Sequence, residues 1–202
     1  MGRNALIVVG LTGKYCVGKN LVSSRFEHRG IPVLDVDKLG HDAIKSSHDI
    51  LLKCFGTGIV GQSGEVDRKR LGAIVFSDAA QLARLEAIVH PKMVEVCIRI
   101  LEDYRMQGSG CVVLNAALLH RMKLDVLCDA ICYVASPVCL RFVRGIRRDG
   151  VTIRSFLHIE RSQKDIAVKE LRGAATVHVL RNWGRSTFIH RQVDAFCDTM
   201  GL

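Results

Sequence analysis

The sequence predicts an α/β fold: a five-stranded parallel sheet sandwiched in three layers, interrupted by a helical insertion. Short apolar, β-rich runs alternate with helix-spaced stretches, and that alternation means βαβ units with right-handed crossovers. The residues from Asp67 to Gln107 keep helical spacing with no strand among them, which marks an insertion. The first apolar run leads straight into a glycine loop and then a helix.

Ala5–Gly10 is continuously apolar and reads as a buried parallel strand. The loop from Leu11 to Gly18 feeds a helix from about Lys19 to Arg29, closed by Gly30. "IPVLD" (Ile31–Asp35) is the second strand, after which Asp35 or Asp37 opens a helix to about Ile44. Asp49–Phe55 is a further helical piece, ended by the turn "GTGIVGQSG". In "DRKRLGAIVF", Leu71, Ile74 and Val75 share one side. "DAAQLARLEAIV" starts at the N-cap candidate Asp78, and Pro91 is expected to restart a third helix running to about Tyr104. Gly110–Leu114 and Ala130–Ala135 are strands three and four. Pro137 starts a helix that Gly150 breaks; Thr152 caps another to about Ser162. Val177–Leu180 is the last strand and Ser186–Met200 the closing helix.

Composition narrows the function classes. The chain has 202 residues, 49% of them hydrophobic, and no apolar run long enough to span a bilayer. "MGRNALIVVGL" imitates a signal peptide, but a glycine- and lysine-bearing loop follows it instead of a small-residue cleavage site. Leu6 breaks the myristoylation pattern. A cytoplasmic protein without a membrane partner is expected, as a monomer or weak oligomer. Of the eight cysteines, Cys97, Cys111, Cys132, Cys139 and Cys197 sit among apolar neighbours and read as reduced core residues; no zinc spacing occurs. The formal charge is +9, and between Arg141 and Arg172 there are nine Lys/Arg against four Asp/Glu. Such a field attracts anions, or is simply a solvated basic face. With 5% aromatics, and none interleaved with these arginines as a stacking platform, a nucleic-acid partner is not expected.

The chemistry concentrates in "GLTGKYCVGKN", Gly10–Asn20. Gly13 and Gly18 admit backbone geometries that let several N–H groups converge on phosphate oxygens, and the start of the following helix adds positive potential. Lys19 supplies a mobile cation for the outer phosphates. Where the usual pattern has a hydroxyl that binds Mg2+, Asn20 offers a carboxamide oxygen, a hard neutral ligand of slightly longer reach. An ordinary βα turn is the competing reading. Asp35 and Asp37 follow strand two and face the crevice beyond the strand ends, where a carboxylate can take a proton, hold metal through water, or merely cap a helix. Arg144 and Arg148, four apart, share a helix face suited either to a triphosphate or to solvent.

Taken together, these stretches resemble the dephospho-coenzyme A kinase family over nearly the whole chain. The likeness rests on "GLTG" with the Gly18-Lys19 pair, "GIPVLDVDKLGHDA", "GEVDRKRLGAIVFSD", "LEAIVHPKM" and "RFVRGIRRDGVT", with Gln163, Lys169 and "NWG" at Asn182–Gly184. The resemblance implies a fold of P-loop kinase type whose helical insertion is the acceptor domain and whose basic segment is a lid. It implies a core of residues 1–37, 108–144 and 174–202, a coenzyme A-binding insertion of 38–107, and a lid of 145–173. The implied reaction is ATP-dependent phosphorylation of the ribose 3′-hydroxyl of dephospho-coenzyme A, with Mg2+, giving coenzyme A and ADP in the last step of coenzyme A synthesis. By position, Gly13 and Cys16, Val17, Gly18, Lys19, Asn20 and Leu21 line the ATP phosphates. Asp37 is the base at the acceptor hydroxyl, and Arg144 and Arg148 are the lid arginines. Asn182 and Gly184 lie near the nucleotide base. His90 matches the family's histidine before proline, as an acceptor contact or a structural residue at a helix end.

The chain departs from the family pattern in its loop interior "KYCV", at Asn20, at Ala117 and Arg121 in "NAALLHR", and at Thr176-Val177. The lysine, the second aspartate and both arginines are retained, which favours an active enzyme. Two other readings stay open: another small-molecule kinase of the same architecture, and a catalytically degenerate nucleotide-binding protein.

Overall fold

The computed structural model describes residues 6–75, 78–171 and 175–202. Ala5 of the expected first strand, Phe76, the last residues of the expected lid (172 and 173) and core residue 174 lie outside the described residues. The chain divides into two compact units, one of Met1–Asp35 with Glu102–Leu202 and one of Val36–Leu101.

The first unit is built on five parallel strands: β1 (Ile7–Thr12), β2 (Val33–Asp35), β3 (Cys111–Asn115), β4 (Ala130–Ala135) and β5 (Thr176–Arg181), in the order β2-β3-β1-β4-β5. β1 lies at the centre, pairing Leu11 with Asn115 on one side and with Cys132 on the other. Asp35 ends β2 opposite Asn115. Because side chains alternate along each strand, Val9, Leu11, Val113, Cys132, Val134 and Leu180 face one layer of helices. These helices are α1 (Lys19–His28), through Val22 and Phe26, and α8 (Ser186–Met200), through Ile189, Val193 and Phe196. They are tied to each other by the Arg25–Asp194 and Arg29–Asp198 ion pairs. On the opposite face Val8, Val112 and Ile131 are buried. Both faces are therefore apolar, as an all-parallel sheet requires.

The second unit holds α2 (Val36–Ser46), α3 (His48–Phe55), α4 (Arg68–Val75) and the greater part of α5 (Ala79–Met106). Leu51, Ile59, Leu71 and Val75 form its core. The Asp67 carboxylate accepts from the N–H groups of Lys69 and Arg70, and that of Asp78 from Ala80, so both aspartates cap helices. Lys92 Nζ donates to the Ser46 carbonyl at 2.6 Å, pinning α5 to the end of α2.

One sequence expectation fails here. Pro91 does not restart a helix; α5 runs through it for 28 residues. Pro91 has no N–H for the carbonyl of Ala87, a loss that normally breaks or kinks a helix. Val89, Met93, Cys97 and Leu101 form one buried stripe across that point, and their burial offsets the lost hydrogen bond. Among the cysteines, Cys139 is exposed rather than buried, because it falls in the first turn of the next helix on its outer face; Cys128 is buried instead. All eight thiols are free, and burial pushes those of Cys111 and Cys128 up to about 12.

Candidate functional site

The loop after β1 takes the shape an anion site needs. Gly13 has φ 150° and Gly18 φ 95°, values that a side chain would strain. A Cβ would also lie 2.5 Å from the Val134 carbonyl oxygen at Gly13 and 2.3 Å from Asn182 Nδ2 at Gly18. Both glycines are thus required by shape and by close approach. Gly18 is the N-cap of α1, so Lys19, Asn20 and Leu21 stand in the first turn at its positive end. Between them Cys16 holds φ 57°, a left-handed conformation worth roughly 1–2 kcal/mol of strain in a residue with a Cβ.

Arg144 relieves that strain from behind. It belongs to α6 (Val138–Asp149), and its Nη1 donates to the carbonyls of Cys16 and Val17 at 3.2 and 3.3 Å and to Ser136 Oγ at 3.0 Å. Its Nη2 reaches Asn182 Oδ1 at 3.2 Å. Asn182, itself buried, donates through Nδ2 to the Val17 carbonyl at 2.7 Å and accepts from the Gly184 N–H at 3.4 Å. Ser136 Oγ donates to the Asn182 carbonyl. The loop, the end of β5 and α6 are therefore cross-braced through one guanidinium and one carboxamide. Burial among these groups lowers the Arg144 pKa from its ordinary value.

Arg148, one turn further along α6, lies over the ring of Tyr15 at 5.0 Å and pairs with the Asp149 carboxylate at 2.9 Å. That pairing holds its pKa above the usual guanidinium range. The sequence-predicted arginines thus converge on the loop, Arg144 at its carbonyl side and Arg148 at its Tyr15 side chain. Behind them α7 (Ile153–Ser162) is capped by Thr152, whose hydroxyl accepts from the Ser155 N–H. Its Glu160 pairs with the buried Arg141 of α6 through both carboxylate oxygens.

Asp37 is in the first turn of α2 and His90 near the middle of α5, both in the second unit. Asn20 is exposed. At the carboxyl ends of the strands, Asn115 is buried and its Oδ1 is the one buried side-chain polar atom without a hydrogen-bond partner among the described residues. Asp35 is its neighbour in register. These hard oxygens fit Mg2+, which needs only one or two protein oxygens when phosphates and water complete its shell. No cluster of three or more His, Cys, Asp or Glu occurs among the described residues.

Sequence reasoning missed several parts of the brace. Ser136 and Glu160 carry no motif signal, and Arg141, although it opens "RFVRGIRRDGVT", reads there as one more residue of a basic helix face. Tyr15 was visible only as a departure from a small-residue loop. Arg121, another departure, donates from Nε and Nη2 to both oxygens of Asp165, holding the end of the α7 region to the segment after β3 and lowering the Asp165 pKa. Thr12 Oγ1 donates to the Ala117 carbonyl at 3.1 Å, beside that pair.

Comparison with known proteins agrees with this geometry. The family model described as dephospho-CoA kinase matches residues 7–187. A dephospho-CoA kinase of Bacillus licheniformis is 30% identical over 196 residues, covering 96% of each chain. A Thermus thermophilus crystal structure superposes with TM-score 0.80 at 31% identity, covering 96% of this chain and 98% of that one. A dephospho-CoA kinase from Campylobacter jejuni has TM-score 0.63 at 18% identity over 96% of each chain, a likeness of fold alone. By sequence over nearly its full length and by its parallel sheet with a phosphate-type loop, the chain belongs to the dephospho-CoA kinase family.

Proposed function

We infer that the chain transfers the γ-phosphoryl group of ATP to the ribose 3′-hydroxyl of dephospho-coenzyme A, in the step that completes coenzyme A. Family membership carries the reaction. The observation that carries the site is the loop of Gly13–Gly18, held open at the start of α1 by Arg144 and Asn182. Gly13, Cys16, Val17, Gly18, Asn20 and Leu21 line the phosphates at the start of α1, and Lys19 neutralises the outer ones. Asn182 and Gly184 stand near the base of the nucleotide.

In the transfer, the 3′-oxygen bonds to the γ-phosphorus as the bond to the β-phosphate oxygen breaks and ADP leaves. Asp37 takes the hydroxyl proton. Asp37 and His90 contact the acceptor. Arg148 meets the charge that moves onto the leaving phosphate, while Arg144 keeps the loop carbonyls turned away from it. Asn20, with the strand-end oxygens of Asp35 and Asn115, would hold Mg2+, which would supply charge neutralisation to the phosphates. Residues 1–37, 108–144 and 174–202 serve as the nucleotide core, 38–107 as the coenzyme A-binding insertion and 145–173 as the lid. The same reading makes the protein a cytoplasmic monomer or weak oligomer, with no nucleic-acid or membrane partner. Among the described residues no helix is long and apolar enough to cross a membrane. The concentration of basic residues from Arg141 onward suits two polyanionic substrates.

The test is ADP release by the purified protein with ATP and Mg2+, with and without dephospho-coenzyme A. Acceptor-dependent release at about 1 s⁻¹ or faster is expected, the low end for kinases. ATP binding with no acceptor-dependent release overturns the assignment.

A further inference from the structure

Tyr15 stands inside a phosphate loop, between Gly13 and Gly18, where a bulky side chain has no role in cradling phosphate. Each part of it is engaged by the lid region. Its backbone N–H donates to Gln163 Oε1 at 2.8 Å, just beyond α7. Its hydroxyl donates to the Asp149 carboxylate at the end of α6. Its ring lies under the Arg148 guanidinium at 5.0 Å and 6.5 Å from the ring of Phe156 in α7. The seat for the ring is Gly145: a Cβ there would come 2.9 Å from Val151 Cγ2, 3.1 Å from Tyr15 Cε1 and 3.4 Å from its hydroxyl. A glycine within a helix weakens it, so its presence opposite the ring answers a packing need. The Asp149 carboxylate that accepts from Tyr15 also accepts from Arg148 Nε and Nη2. The guanidinium is therefore held on one side by a π face and on another by a carboxylate that the same tyrosine fixes.

We propose that Tyr15 is a positioning residue for phosphoryl transfer: it docks the lid helices on the phosphate loop and sets the Arg148 guanidinium toward the outer phosphates. The inference rests on the reading of Arg148 as a charge-stabilising residue. Through the Gln163 and Asp149 tethers, the loop and lid shift together or the tethers break. Tyr15 thus acts on the rate of transfer more than on the grip on ATP.

Steady-state kinetics of Tyr15→Leu, Tyr15→Phe, Arg148→Ala and the double variant Tyr15→Leu/Arg148→Ala test this. Tyr15→Leu keeps apolar bulk but removes the π face and hydroxyl, and is expected to lower kcat by about tenfold, with KM for ATP changed by less than about threefold. Tyr15→Phe restores the π face but not the hydrogen bond to Asp149, and is expected to recover only part of that loss. The double variant is expected to be no slower than Arg148→Ala, because both changes remove one device. Losses that multiply in the double variant, or a Tyr15→Leu effect confined to KM or absent, overturn the positioning role. Undiminished kcat in Arg148→Ala instead overturns the reading of Arg148 on which it rests. Melting temperatures of the variants, measured alongside, separate misfolding from the kinetic effect. Should Tyr15→Leu fail to fold, Asp149→Asn, which weakens the same tether without touching the loop, is expected to show the same kcat-over-KM pattern, and its failure to do so overturns the proposal.

Discussion

Replacing Glu160 by glutamine will show how far the packing of α6 and α7 depends on one buried charge. The Arg141 side chain is 4% exposed and that of Glu160 18%. Both Glu160 oxygens accept from the Arg141 Nη groups, the second at 2.7 Å. The other contacts of that guanidinium are neutral: the Ser136 carbonyl at 3.2 Å from Nε and the Phe156 ring at 5.9 Å. Glutamine keeps one acceptor but leaves the buried cation without its counter-charge. Breaking such a pair costs roughly 3–5 kcal/mol, and the retained acceptor places this variant near the lower end. For a chain of this length that is a fall of about 6–12 °C in Tm, at roughly 2–4 °C per kcal/mol. Thermal melts followed by circular dichroism would measure it. Arg141→Met/Glu160→Leu, which removes both charges and fills the space, is expected to regain most of the loss. The pH dependence has a definite sign. Hydrogen bonding to Arg141 lowers the Glu160 pKa from 4.5. Its contribution is therefore fully present above 4.5 and is lost as pH falls through the lower, folded-state value. The wild-type advantage over Glu160→Gln should be constant from neutrality down to about pH 5 and shrink below it. A Tm fall under about 2 °C, or a double variant no better than the single one, would refute the reasoning.

Three further outcomes are expected at the site. Lys19→Ala should remove more than nine-tenths of kcat/KM, since charge-stabilising groups are worth about a hundredfold or more; retention above a tenth counts against the loop as the phosphate site. Asp37→Asn should lower kcat by about 10²-fold or more with ATP affinity, read by calorimetry, nearly unchanged. Loss of ATP binding in that variant would move Asp37 from the acceptor to the metal. Asn20→Ser should remain active and reach half-maximal rate at lower Mg2+. An inactive Asn20→Ser would mean the loop has been rebuilt around the carboxamide.

Much of the framework was legible because it is local. Strand-sized apolar runs, the Gly13 and Gly18 spacing, Gly150 as a helix stop and Thr152 as a cap all act within a few residues of themselves, and each appears close to where the pattern puts it, the first strand running on through Leu11 and Thr12. Pro91 shows the limit of such reasoning. Its local rule was outweighed by a stripe of buried side chains on both sides of it. The site was half legible. The residue types and their order point to phosphate chemistry and to a family, but not to which group braces which.

What the sequence by itself determined is the parallel α/β plan, the glycine loop with its lysine, and the family. These depend on periodicity and on motifs that carry their own backbone geometry. Only the tertiary structure decided that Arg144 faces the loop's carbonyls, that Asn182 is tied to Val17 across 165 positions, and that Tyr15 touches Asp149 and Gln163. A hydrogen bond depends on distances of about 3 Å and on direction, which chain folding sets between residues far apart in sequence and no local pattern encodes.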